Sequence, residues 1–281
     1  MGDLTLAGVP HTPDADMLGV QITPGRVRAA IVQDGALVRR HDQPLAAGAR
    51  PDEVMEAVVT GAQSLHAAPS AVGLAIPGDV DGSGRCWGLH GVLGFDGVYI
   101  AEEVAARLGC PVSIESDGNA AALAERSYGR AKGHASTLTV LLGDRLAAGL
   151  VLDGELRRGS SGFGIAFGHL RIDSSPDAAS CSCGRRGCLA AQAATSTLGA
   201  ALGSGVAMVQ NILDLDAVIL TCPSSELFRV IEPEIRAKLR ELVFGSPASE
   251  LPIFESLLGA DAVIIGAATL AATIGAPPAS R

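Results

Sequence analysis

The chain has 281 residues, of which 48% are hydrophobic and 18% are charged, and its formal net charge is -9 at pH 7. This length holds one large domain or two ordinary ones with a sizeable core, and the composition argues against an intrinsically disordered protein. The acidic balance, without any basic run, argues against direct nucleic-acid binding, which needs clustered Lys and Arg.

The first half of the chain predicts a hairpin followed by alternating helices and strands. Residues 1–16 form a loose leader without the basic and apolar regions of a signal peptide. Turn residues "TPGR" and Asp34-Gly35 separate three strand-like runs. The predicted strands are 17–22, 27–33, 36–44, 71–78 and 111–116, and the predicted helices are 51–68 and 99–109.

The second half repeats this pattern. Strands are predicted at 137–142, at 147–159 with a hairpin turn at Asp153-Gly154, and at 216–220; helices are predicted at 224–244 and 262–276. The repeat predicts a duplicated α/β domain with a cleft between two lobes. The last helix is short and rich in Ala, Gly and Thr, so we expect a buried helix, no membrane span, and a cytoplasmic protein.

Three cysteines fall within eight residues, at Cys181, Cys183 and Cys188, and His169 stands twelve residues before the first of them. Together they make a Cys3His set, which is the ligand count of a structural zinc site. The spacing lacks the Cys-x-x-Cys of a redox centre, although a redox or chance origin stays open. A zinc ion with four protein ligands would have no open position for catalysis.

The segment "GHLRIDSSPDAASCSCGRRGCLA" (168–190) resembles the zinc motif of the ROK family of repressors, open reading frames and sugar kinases. Supporting stretches are "IPGDVDGSG" (76–84), "PVSIESDGNAAALAE" (111–125) and "LLGADAVIIGAATLA" (257–271). The resemblance begins at about Met17 and covers almost all of the chain after it.

The resemblance implies an actin-like ATPase fold of the sugar kinase and ribonuclease H-like type, with an N-terminal lobe at 17–116 and a C-terminal lobe at 117–281 that carries a zinc loop at 169–188. It also implies ATP with Mg2+, often a homodimer, and zinc bound by His169, Cys181, Cys183 and Cys188. Some members add a DNA-binding helix-turn-helix, for which too little chain precedes Met17.

Asp117 matches the family's general base, which takes the proton of a sugar hydroxyl, and Asn119 and His169 border the sugar in that family. From the residues alone, Asp117 or Ser116 could equally cap the helix that follows, and Asn119 is a common helix-start residue.

The three loops that face the nucleotide in the family are altered here. Gln21 replaces an acidic metal ligand, and Pro24, which has no N–H, replaces a phosphate-binding glycine. Gly143-Asp144-Arg145 replaces Gly-Thr-Gly: Asp144 would repel a triphosphate, and Arg145 is expected to offset part of that charge while blocking close backbone approach. Thr221-Cys222-Pro223 replaces a third glycine-rich turn.

Sugar-binding positions are altered too, since Ala166 and Ala190 replace glutamates and Ser116 replaces an asparagine. These changes argue against ATP and Mg2+ binding and favour a non-catalytic protein that regulates or scaffolds, with a protein partner or a small carbohydrate-like effector. The alternative is an ATP-dependent hexose or amino-sugar kinase with Asp117 as general base. A DNA-binding repressor has the least support in the sequence.

Overall fold

A computed structural model of the chain describes residues 17–89, 94–194 and 197–273, with the side chains of 246 and 247 excepted. The expected leader at 1–16 and the last residues of the expected C-terminal helix, 274–276, lie outside the described residues.

The strands are β1 (Met17–Thr23), β2 (Arg26–Gln33), β3 (Ala36–Pro44), β4 (Val72–Ile76), β5 (Asp79–Val80), β6 (Cys86–Trp87), β7 (Val112–Ser116), β8 (Thr137–Leu142), β9 (Leu146–Leu152), β10 (Glu155–Leu156), β11 (Ala217–Thr221) and β12 (Ile253–Glu255). The helices are α1 (Pro51–Leu65), α2 (Ile100–Leu108), α3 (Asp117–Tyr128), α4 (Leu189–Gln192), α5 (Leu198–Leu213), α6 (Ser225–Leu242), α7 (Ser246–Ser249) and α8 (Ala262–Thr273).

The strands build two sheets of the same design, ordered β3-β2-β1-β4-β7 and β10-β9-β8-β11-β12. In each sheet three strands run antiparallel and two more join in parallel. The hairpin turns are the expected Asp34-Gly35 and Asp153-Gly154, with φ of 49° and 77° in the first and 54° and 76° in the second. Two positive φ angles favour Asp-Gly and match the twist of the strands. The duplication predicted from the sequence is therefore present.

Helices cover both sheets. Helices α1 and α2 pack on the outer face of the first sheet, and α5 and α6 on the outer face of the second. Helix α8 lies on the inner face of the first sheet and contacts α3, which in turn packs on the second sheet. The close approach depends on glycine: a Cβ on Gly73 would lie 1.7 Å from the Ala267 carbonyl oxygen, and one on Gly266 would lie 1.7 Å from that of Ala120.

The C-terminal helix thus packs against the sheet formed by the start of the chain. Helix α8 is buried along nearly all of its length, as its apolar sequence predicts. The division into lobes at residue 117 stays a prediction, because α8 follows the second sheet in sequence and yet packs on the first. Among the described helices, none is long and apolar enough to cross a membrane.

Candidate functional site

The junction between β7 and α3 presents the polar residues of the expected sugar site. The side chain of Ser116 caps α3 by accepting a hydrogen bond from the Asn119 backbone N–H at 3.4 Å. A capping side chain accepts a hydrogen bond from one of the backbone N–H groups that have no partner at the start of a helix. Because Ser116 has this role, the carboxylate of Asp117 is directed elsewhere.

Asp117 forms a buried ion pair with Arg145, from the turn between β8 and β9. Arg145 donates from Nε to Asp117 Oδ2 at 3.2 Å and from Nη2 to Oδ1 at 3.0 Å. The Gly118 N–H also donates to Oδ1, at 2.8 Å. Burial raises the pKa of Asp117, and the Arg145 guanidinium opposes that rise. The sequence led us to expect Arg145 to offset Asp144, whereas its side chain reaches the residue at the general-base position.

Glu115 is a second buried carboxylate, which the sequence analysis missed. Its side chain is 3% exposed and pairs with the Nε of Arg158. It also accepts from Asn119 Nδ2 at 2.9 Å, while Asn119 Oδ1 is buried without a hydrogen-bond partner among the described residues. A glutamate near the end of a short strand resembles a solvent-facing residue, and its position two residues before Asp117 is the sequence feature that could have indicated it.

At the first altered phosphate loop, the amide of Gln21 is already bound within the protein. Gln21 Oε1 accepts from Arg28 Nη1 at 3.1 Å, and Arg28 Nη2 donates to Asp261 Oδ1 at 2.6 Å. Pro24 and Gly25 form the tight turn between β1 and β2, where Gly25 has a φ of 85°. The loop is therefore a hairpin turn with a neutral amide where the family has a metal-binding acid.

Thr221, Cys222, Ala166 and Ala190 occupy four other altered positions. Thr221 is buried at the end of β11, and burial raises the pKa of the Cys222 thiol to about 12. Ala166 is exposed just before the short helical turn Phe167–His169. The methyl group of Ala190 lies 3.6 Å from where a Cβ of Gly168 would stand. Methyl groups at these two places donate and accept no hydrogen bonds.

A β-hairpin formed by β5 and β6 contacts the segment 159–164 of the second half of the chain. The Gly82 N–H donates to the Ser161 carbonyl at 2.9 Å. A Cβ on Gly162 would lie 2.5 Å from the Val80 carbonyl oxygen, and the rings of Trp87 and Phe163 are 6.4 Å apart. The two halves of the molecule therefore touch beside the polar cluster of Glu115 and Asp117.

The four expected zinc ligands, His169, Cys181, Cys183 and Cys188, lie together, with their ligand atoms all within 4.8 Å of one another. His169 Nδ1 is 3.6 Å from Cys181 Sγ, and Cys183 Sγ is 3.7 Å from Cys188 Sγ. Tetrahedral zinc with bonds of about 2.3 Å to sulfur separates its sulfur ligands by about 3.8 Å. A disulfide would need about 2.05 Å. The donor set and its spacing therefore fit zinc.

Backbone contacts hold this cysteine loop in shape. The Cys181 N–H donates to the Arg185 carbonyl at 2.8 Å, and the Leu189 N–H donates to the Leu170 carbonyl at 2.8 Å. Gly184 and Gly187 have φ of 83° and 73°, a region that favours glycine. The two glycines differ in the space around them. A Cβ on Gly187 would lie 1.8 Å from the Asp173 carbonyl oxygen, whereas a Cβ on Gly184 would have no atom within 4 Å.

These two glycines make a matched pair for a test. Gly187→Ala is expected to lower the free energy of unfolding by more than about 2 kcal/mol and to reduce the zinc content, because the backbone must move away from Asp173. Gly184→Ala should cost only about 1 kcal/mol, which is the strain of its φ alone. Urea denaturation and metal analysis of both variants measure the difference, and equal losses would contradict a steric role for Gly187.

Known proteins resemble this chain over much of its length. Residues 17–200 match the model of the ROK family. A glucokinase of Streptomyces coelicolor is 30% identical over 174 residues, which are 61% of this chain and 54% of that protein. The xylose repressor of Bacillus subtilis is 24% identical over 233 residues, which are 71% of this chain and 60% of that protein. The chain thus matches little more than half the length of either curated relative.

Among solved structures, a ROK family glucokinase from Streptomyces griseus in complex with glucose and AMPPNP superposes with a TM-score of 0.78. It is 24% identical and covers 92% of this chain and 99% of that one. This likeness confirms the two-lobed, actin-like ATPase fold expected from the sequence. With the family model matched over 17–200, the chain belongs to the ROK family.

Proposed function

We propose that this chain binds a carbohydrate-like ligand between its lobes and does not transfer phosphate. The carbohydrate ligand is proposed on kinship with sugar-binding ROK proteins. The observation that carries the lack of phosphate transfer is the pair between Asp117 and Arg145, in which two N–H groups of the guanidinium and the Gly118 N–H occupy the carboxylate. A general base must accept the proton of the attacking hydroxyl within hydrogen-bond distance. A carboxylate held in this way would have to leave Arg145 before it could act.

The residues at the nucleotide positions support the same proposal because they do not fit Mg-ATP. Phosphate binding needs clustered backbone N–H groups and an acidic ligand for the metal. Gln21 is neutral and bonded to Arg28, Pro24 has no N–H, and Arg145 is turned toward Asp117. We therefore derive no phosphoryl-transfer step for this chain.

Zinc, in contrast, fits the cluster. His169, Cys181, Cys183 and Cys188 would hold it, and a bound ion would supply four bonds that fix the loop while leaving no position open for catalysis. The proposed zinc is therefore structural, and it would support the segment that leads from Phe167 to α4. A sugar contact by His169 stays a prediction.

The alternative is an active hexose or amino-sugar kinase. The glucokinase of Streptomyces coelicolor supports it as a relative, and Asp117 stands at the start of α3 as a kinase base would. In that alternative the incoming sugar hydroxyl would displace Arg145 from Asp117, and Asp117 would take the proton of that hydroxyl.

Binding and turnover with Mg-ATP distinguish the two. We expect no ADP release above background from glucose, xylose or N-acetylmannosamine, and no calorimetric Mg-ATP binding in the micromolar range, since three nucleotide loops are altered together. Arg145→Gly, which frees Asp117, should remain inactive for the same reason.

The glucokinase of Streptomyces coelicolor serves as the positive control of the assay. Low-micromolar Mg-ATP binding, or sugar-dependent ADP release that Asp117→Asn abolishes, would contradict the proposal and establish the kinase.

The cellular role that we propose is regulatory or scaffolding, in the cytoplasm, through a protein partner or the carbohydrate-like effector and without direct contact to nucleic acid. Homodimer formation is part of this proposal on the family resemblance alone. Light scattering of the purified chain measures the oligomeric state directly.

A further inference from the structure

The contact between the β5–β6 hairpin and the segment 159–164 carries an aromatic pair, in a chain that has few aromatic residues. The protein contains one Trp, two Tyr and six Phe. Trp87 on β6 and Phe163 of the opposite half face each other with ring centroids 6.4 Å apart and planes inclined by 52°. Phe163 is 46% exposed. Aromatic side chains that stand beside a few converging polar groups commonly line ligand sites.

The indole of Trp87 is held in a fixed orientation. Its Nε1 donates to Asp81 Oδ2 at 2.8 Å, and the guanidinium of Arg85 lies 5.9 Å from the indole centroid and 5.3 Å from the ring of Tyr99. Asp81 itself is fixed, because it accepts the N–H groups of Ser83 and Arg85. A side chain ordered before binding loses little entropy when a ligand packs on it.

Asp79 links this aromatic pair to the polar cluster. It is the cross-strand partner of Trp87 in the β5–β6 hairpin, so the two side chains share one face at a separation of about 5 Å between Cβ atoms. Strand β5, which carries Asp79, packs against β7, and β7 ends at the residue before Asp117. The charge of Asp79 also raises the pKa of the Asp117 carboxyl, which agrees with this proximity. Asp79 is exposed and accepts no side-chain hydrogen bond from the described residues.

We propose that Trp87, Phe163 and Asp79 form an outer saccharide subsite, which takes the second ring or the aglycone of a glycoside. A pyranose has an apolar C–H face that packs on an aromatic ring and hydroxyls at its rim that a carboxylate accepts. Because the hairpin that carries Trp87 and Asp79 packs against β7, just before Asp117, we infer that a two-ring ligand would place one ring at Asp117 and the other on Trp87. This inference rests on the proposed carbohydrate binding and gives that site its ligand class.

The single tryptophan makes the subsite directly observable. Titration with glucose, maltose and cellobiose is followed by calorimetry and by Trp87 emission, for the wild type, Phe163→Ala and Phe244→Ala. Phe244 is the matched control, because it is 94% exposed and follows α6, outside the hairpin and the segment 159–164. We expect a disaccharide to change Trp87 emission and to bind at least tenfold tighter than glucose. Phe163→Ala should remove that advantage, and Phe244→Ala should keep it.

The outcomes separate this inference from the proposed function. If glucose binds and the disaccharides bind no tighter than glucose, or if Phe163→Ala still binds disaccharides at least tenfold tighter than glucose, the subsite is wrong and carbohydrate binding stands. If no saccharide binds the wild type, both are wrong. If a disaccharide changes Trp87 emission as expected and the protein also turns over Mg-ATP, the subsite stands and the non-catalytic function is wrong.

Discussion

Cys183→Ser is expected to release zinc from the cysteine loop and to lower the melting temperature by about 10 °C. Cys183 is exposed, so the substitution removes a proposed metal ligand without removing core packing. A cross-link across a loop of about 20 residues is worth about 3 kcal/mol, and each kcal/mol shifts the melting temperature of a chain of this size by about 2–4 °C. Zinc per chain by elemental analysis and thermal unfolding measure the two effects.

Cys110→Ser is the matched control, because this cysteine lies outside the cluster. It should keep one zinc per chain. A chelator should lower the melting temperature of the wild type and of Cys110→Ser, and should leave Cys183→Ser unchanged. Wild-type protein purified without zinc, or full zinc content in Cys183→Ser, would contradict a zinc site made of these four residues.

The fold was predictable from the sequence where local signals agree. Strands β1, β2 and β3 were placed to within one residue because turn residues bound them. Strand β12 was missed, since three residues are too few to show a period. Helix α5 was missed because its glycines lower helix propensity. Gly199 and Gly203 are needed there, since a Cβ on them would lie 2.4 Å and 2.6 Å from side chains of α6.

The sequence predicted the parts of the site whose residues lie close together along the chain, and it did not predict the pairs between distant residues. The four proposed metal ligands lie in one short segment, so their spacing alone indicated that they converge. The partner of Asp117 lies 28 residues further along the chain, and that of Glu115 lies 43 residues further. Pairing at such a distance depends on how the two sheets sit together, which the sequence pattern does not contain. The sequence identified Arg145 as an obstacle to ATP, whereas its contact with Asp117 is a finding of the structure.

The Asp117–Arg145 pair makes stability depend on pH in a defined direction. Burial raises the pKa of Asp117 in the folded protein above its unfolded value, so the folded state binds the proton more tightly and loses stability as pH rises through that range. Arg145 counters this loss by stabilising the charged form. Removing Arg145 leaves a buried carboxylate without its cation, which is among the costly changes in a protein interior.

Arg145→Ala is therefore expected to lower the free energy of unfolding by about 3 kcal/mol at pH 7.5 and by less at pH 4.5, because the raised pKa of Asp117 favours uptake of a proton as the pH falls. Urea denaturation across this pH range gives both values. Adding Asp117→Asn to the variant should restore stability at pH 7.5, because no charge then remains to be buried.

Arg157→Ala is the control: its side chain is 41% exposed and pairs with an Asp153 that is 87% exposed, so it should cost less than about 1 kcal/mol at either pH. Equal stability of Arg145→Ala and the wild type at pH 7.5 would mean that Asp117 does not depend on Arg145. Asp117 would then be free to act as a base, and the case for a non-catalytic protein would rest on the nucleotide loops alone.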